Sequence, residues 1–224
     1  MMRRSIAILA LLLPCLGPAC NIIIPATYII EGPPKQPAVF ELPEKRTLVF
    51  IDDPKNRMTR VALRAEVADR TERLLFDEGK VTELVSCADA IQLARRSDAQ
   101  GNRASIESIG RAMNVQQVIY VAVDRFTLSV DGASPRPGAT VRVKVIDLED
   151  QTRIFPGDDN GHLVEAELRE PPQSMYVSTS GRRQIEDQLA MQLATDIAEL
   201  FYEHEDRPLG GTLQAPRQRA QDRK

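Results

Sequence analysis

Apolar runs and helical stripes alternate along the chain from Thr47 onward. Thr47-Leu48-Val49-Phe50-Ile51 is a continuous apolar run, as in a strand covered on both faces. Asp52-Asp53-Pro54-Lys55-Asn56 then reads as a turn. Over 58–78, Val61, Ala65, Ala68 and Leu75, flanked by Leu63, Val67 and Leu74, recur at helical spacing. Charged residues wrap the other side, and Gly79 is a natural stop. The spacing predicts a short strand over 81–85, a short helix over 88–96 and a polar loop over 98–102. Ser105 is placed to cap a further helix running through Ile109, Gly110, Ala112 and Met113.

The period changes at Gln116. Residues 118–123 form a buried strand, and Phe126, Leu128 and Val130 continue it as a half-exposed one. Residues 131–138, rich in Gly and Pro, read as a hairpin loop. The return strand spans 139–148, with Val141, Val143 and Val145 alternating against Thr140, Arg142 and Lys144. A turn at 149–152 leads to a strand at 153–156, which 162–168 completes. A final helix over 183–204 carries Ile185, Leu189, Leu193, Ile197, Leu200 and Phe201 in one stripe. The order β-α-β-α-β-β-(β)-α predicts an α/β or α+β fold, a mixed sheet with helices packed on it.

The chain's two ends depart from this pattern. Arg3 and Arg4 precede the apolar run 5–13, which is too short for a bilayer, where about 20 residues are needed. It reads as an export signal over 1–19. Leu16-Gly17-Pro18-Ala19-Cys20 resembles the lipoprotein box, so Cys20 is expected to carry lipid. The other reading is a secreted protein whose first mature residue is Cys20. Residues 20–45, with Pro25, Pro33, Pro34, Pro37 and Pro43, read as a tether of up to about 80 Å. The domain is assigned to 46–205. The tail 206–224 holds five basic and two acidic residues and reads as disordered.

Composition narrows the function. A content of 42% hydrophobic and 27% charged residues speaks against a wholly disordered or collagen-like chain. With 29 Lys+Arg against 32 Asp+Glu, no basic field draws it to nucleic acid. Aromatics at 4%, with no Trp, offer no stacking platform. Three Cys and two His do not supply a zinc site or a disulfide scaffold. Cys87 reads as a small buried hydrophobe. His162 and His204 have no second ligand at metal spacing.

No phosphate loop, dinucleotide fingerprint or nucleophile elbow occurs. Asp52 and Asp53 stand at a strand end, where open sheets bind ligands. They read first as turn caps, and secondarily as the acids of a periplasmic hydrolase. Asp124 and Asp147, also in or beside strands, carry no known mechanistic spacing. No catalytic residue, cofactor or metal is assigned.

The stretch Ile109-Gly110-Arg111-Ala112-Met113-Asn114-Val115-Gln116-Gln117-Val118-Ile119-Tyr120-Val121 resembles an Ile-Gly-x-Ala-x-Gly-Ala-Asp-x-Val-Ile-x-Gly signature of envelope proteins. That group includes the curli-secretion channel subunit, the lipoprotein activators of penicillin-binding proteins and the amino-terminal domain of TolB. Val145-Ile146-Asp147-Leu148-Glu149-Asp150-Gln151-Thr152 is similar to the group's Val-x-Asp-x-x-Thr-Gly hairpin. Asn114 stands where the group has Gly. The layout, with the tether Gly32 to Ala38, also resembles uncharacterised lipoproteins of planctomycete-type bacteria. The resemblance implies a non-enzymatic envelope module that docks on a partner protein or self-associates, with Gly110 allowing close helix packing. The expected location is the periplasmic face of a membrane, held through Cys20. A subunit of a channel or secretion complex is the alternative.

Overall fold

The computed structural model describes residues 35–205, apart from 100, 102–103, 130–135 and 170. The expected signal (1–19), Cys20, the tether up to residue 34, the basic tail (206–224) and most of the hairpin loop lie outside the described residues. The elements are β1 (Lys35–Gln36), β2 (Thr47–Asp52), α1 (Ala62–Asp77), α2 (Cys87–Ala99) and α3 (Ile106–Ala112). Then come β3 (Gln117–Thr127), β4 (Gly138–Asp147), β5 (Thr152–Phe155) and β6 (His162–Glu167). The chain ends in α4 (Gln173–Val177), α5 (Thr179–Ala198), a 3-10 turn (Glu199–Phe201) and β7 (His204–Glu205).

Helices pack against a mixed sheet, an α+β fold. β2 runs parallel to β3, and β3 runs antiparallel to β4. The far edge of β4 is shared. β5 pairs with Val145–Asp147, and β6 pairs with Gly138–Val143. The segments 153–156 and 162–168 therefore act as one interrupted strand, with 156–161 looping out between them.

Strand alternation sorts the two faces. Val49, Ile51, Ile119, Val121, Val141, Val143 and Val145 lie buried on one face, which α1 and α5 cover. Leu48, Phe50, Val118 and Tyr120 point to the other face, which α2 and α3 cover only over β2 and part of β3. Beyond that cover, Arg142, Lys144 and the half-exposed Leu163 face solvent.

Gly110 lets α3 lie close to the sheet. A β-carbon there would come within 2.4 Å of Leu148 Cδ1 and 3.1 Å of Val118 Cγ2. Ser105 caps α3 by accepting from the Ser108 N–H at 3.2 Å. Asn114, in the group's glycine position, has φ 54°. This is the left-handed region that Gly and Asn favour.

Several details differ from the sequence pattern, among them α2, which runs to Ala99 into the expected polar loop. Residues 81–85 form no strand beyond a single parallel bridge from Val81 to Lys45. The outer edge of β2 is closed instead by a side chain. Buried Glu72 accepts the Val49 N–H at 3.0 Å on one oxygen and the Val85 N–H at 3.1 Å on the other. The first long helix starts at Ala62, because Asp53 holds the backbone at Arg57 and Met58 in a turn. The last helix starts at Thr179, where Ser178 accepts the Gly181 N–H at 3.0 Å. It ends at Ala198, and α4 precedes it without any signal in the apolar pattern.

Residues 35–45, read as part of the tether, lie against the folded core. β1 pairs with β7, and the Val39 and Phe40 N–H groups donate to the Leu200 carbonyl at 2.8 and 3.0 Å. The Phe40 ring stacks on Phe155 at 4.9 Å, and Leu42 is buried. The prolines at 37 and 43 exclude a helix, as expected, and leave an extended strap rather than a free linker.

Candidate functional site

The C-terminal end of β2 opens into a cleft of about 660 Å³. Phe50 and Tyr120, on neighbouring parallel strands, stack at 6.4 Å between ring centroids and form its floor. Ile91 and Ala94 of α2, with Ile106 and Ile109 of α3, line the apolar wall. Asp52, Arg64 and Arg95 supply the polar side. The volume suits a small molecule.

The two acids flagged in the sequence have different surroundings. Asp53 is almost fully buried. One carboxylate oxygen accepts the Arg57 N–H at 2.8 Å, and the other accepts the Met58 N–H at 2.9 Å. Arg64 Nη2 lies 3.4 Å from that second oxygen and donates to the Asp53 carbonyl at 2.9 Å. Asp53 is thus occupied in holding the turn. Asp52 is half-buried at the cleft, and the Tyr120 hydroxyl donates to its carboxylate. The pair does not converge on one reacting atom.

Arg64 reaches in from α1. Its Nη2 also donates to Asn56 Oδ1 at 3.0 Å, but its buried Nε–H has no hydrogen-bond partner. Arg95 lies exposed on α2 and has no hydrogen-bond or ion-pair partner among the described residues. Neither arginine stood out in the sequence. The available signal was the alternation of β2 and β3, which puts Phe50 and Tyr120 on the same face, with α2 the next element along the chain.

The other sequence candidates are engaged elsewhere. Asp147 accepts from Lys45 at 2.7 Å and from the Glu149 N–H at 2.9 Å, so it closes the β4–β5 turn. Burial alone would raise its pKa, but these donors hold it below the ordinary carboxylate value. Asp124 pairs with Arg142 at 2.7 Å. Cys87 is buried, and burial pushes its thiol up to about 12, which keeps it protonated and unreactive. The His162 ring packs near Phe155, and the His204 ring near Tyr202. Among the described residues, no cluster of three or more His, Cys, Asp and Glu is placed to hold a metal. No helix among them is long and apolar enough to cross a membrane.

No protein-family model and no curated protein matches the chain. Solved structures do. A hypothetical protein from Chlamydia trachomatis is similar with a TM-score of 0.40 at 13% identity, over 70% of this chain and 93% of that one. A PelC dodecamer from Paraburkholderia phytofirmans is similar with a TM-score of 0.36 at 13% identity, over 78% and 97%. A lipoprotein from Neisseria meningitidis is similar with a TM-score of 0.36 at 15% identity, over 69% and 97%.

Proposed function

We propose that the chain is an exported lipoprotein whose α+β domain is a non-enzymatic binding or assembly module of the cell envelope. The observation that carries this reading is the N-terminal pattern: Arg3-Arg4, a short apolar run, then Leu16-Gly17-Pro18-Ala19-Cys20. A run of this length is removed on export rather than left to span the bilayer. Cys20 is then the first mature residue and the site of lipid attachment.

The strap at 35–45 refines the geometry of the anchor. With Lys35 paired to Glu205, the chain available between lipid and domain is 21–34, not 21–45. Fully extended, that segment reaches roughly 50 Å. The module therefore works close to the periplasmic face of its membrane, on a neighbouring envelope protein or on further copies of itself. The occupied state of Asp53 supports a binding role over hydrolysis, because the buried acid is held by the turn it caps.

Substituting Cys20→Ser tests the anchor. The expected result is release of the protein, cleaved of its signal, from the membrane fraction into the soluble periplasmic fraction, with loss of metabolic labelling by palmitate. Membrane retention of the variant, unchanged from the parent, overturns lipid anchoring.

A further inference from the structure

We infer that the outer edge of β6 takes up a further strand, and that its occupant is the chain's own basic segment 215–221. The inference goes beyond the envelope role proposed above and does not depend on the lipid anchor.

The edge is open. The Leu168 N–H donates to the Pro137 carbonyl, beside the start of β4, at 3.1 Å. Successive residues of a strand turn their backbone groups to opposite sides. Val164 and Ala166, opposite Val141 and Ala139, therefore bond to β4, and Leu163, Glu165 and Glu167 turn their N–H and C=O groups outward. Among the described residues, no strand pairs with that outward side. A strand edge of this kind is a template for another extended segment.

Charge selects the occupant. The side chains of Leu163, Glu165 and Glu167 are exposed on one face, and neither carboxylate has a hydrogen-bond or ion-pair partner among the described residues. The basic groups of β4 are engaged. Arg142 pairs with Asp124 at 2.7 Å, and Lys144 donates to the Asp159 carbonyl at 2.9 Å. A second copy of β6 is a poor occupant. Antiparallel pairing centred on Glu165 sets that carboxylate against its own counterpart, and the register that opposes Glu165 to Glu167 sets like charges together twice. The segment 206–224 instead carries five basic residues against two acidic ones, with Arg217 and Arg219 on one face of an extended chain.

Register and reach agree with this occupant. Set antiparallel to β6, the segment places Arg217 opposite Glu167, Arg219 opposite Glu165 and Gln221 opposite Leu163. Arg169, next on that face, then meets Ala215. Pro216, which has no N–H to offer, turns its nitrogen away from β6 in this register. Phe201, shortly before the last described residue Glu205, lies 6.3 Å from Phe155 between ring centroids, and Phe155 lies 5.3 Å from His162 at the start of β6. From Glu205 to Arg217 the chain reaches roughly 40 Å, and β6 is about 20 Å long. The segment can therefore pass along the strand and enter the edge beside Glu167.

Amide exchange followed by NMR on isotope-labelled full-length protein tests this. The Leu163, Glu165 and Glu167 N–H groups should exchange about tenfold more slowly in the full chain than in a variant ending at Glu205. Val164 and Ala166, bonded to β4, should be protected equally in both, which shows that the fold is intact. Arg217→Glu together with Arg219→Glu should abolish the slowing, and adding Glu165→Arg and Glu167→Arg should restore it. Equal exchange with and without the segment, slowing that survives the arginine reversal, or a loss that the glutamate reversal does not restore overturns the inference. Slowing that grows with protein concentration assigns the segment to another copy and overturns it too.

Discussion

The fold changes the chemistry of buried Glu72. Burial pushes its carboxyl up to about 8, against the two backbone N–H groups that favour the charged form. Below the ordinary value of 4.5 it is protonated in both the folded and unfolded chain. Between 4.5 and about 8 the folded chain keeps a proton that the unfolded chain releases. Stability contributed by this group is therefore present at low pH and lost as pH rises through about 8. The loss is on the order of a few kcal/mol. Urea unfolding of the parent and Glu72→Gln across this range checks it. The advantage of the parent should shrink from pH 5 to about pH 8 and level off above it, and a pH-independent difference would contradict the assignment.

Asp52 and Asp53 allow a second comparison at this scale. Asp53→Ala frees two backbone N–H groups and removes the partner of a mostly buried arginine, so it should cost about 3 kcal/mol in urea unfolding. Asp52→Asn keeps an acceptor for Tyr120 and should cost under about 1 kcal/mol. Comparable losses would mean the two acids share one structural role. The sequence marked both acids equally, because adjacent identical residues carry no local signal of burial. Only the return of Arg57, Met58 and Arg64 toward Asp53 separates them.

At the scale of elements, those with strong periodicity were legible. The β2 run, the α3 cap at Ser105, the β4 alternation and the α5 stripe from Ile185 to Ile197 occur where the apolar pattern puts them, while Leu200 and Phe201 fall in the 3-10 turn beyond the helix. Elements held by distant partners were not. Residues 81–85 have the composition of a strand, but Glu72 occupies the edge they would have extended. The strap at 35–45 looks like a linker because its fixing contacts, Leu200 and Phe155, lie over a hundred residues away. The α3–sheet contact offers a direct test of the Gly110 reading. Gly110→Val places branched carbons where Leu148 and Val118 already sit, and should lower stability by about 3 kcal/mol by urea unfolding. A neutral effect would show that α3 can lift off the sheet without loss.

For the whole molecule, the sheet order follows from its connections. A hairpin fixes β3 beside β4, a short turn fixes β5 on the far side of β4, and the crossover through α1 to α3 returns β2 alongside β3 in parallel. Short connections made the second half of this order readable from sequence. The cleft was not readable, because its lining comes from elements separated by up to 70 residues; Arg64 belongs to no recognisable motif, and Tyr120 falls at a variable position of the signature that 109–121 resembles. The proposed function has the domain held near a membrane, on a partner protein or on further copies of itself. Crosslinking in intact cells, followed by mass spectrometry of adducts to the mature protein, tests it most directly. The account predicts one dominant envelope partner or a ladder of the protein with itself. Exported, folded protein that yields no specific adduct would contradict a binding or assembly role.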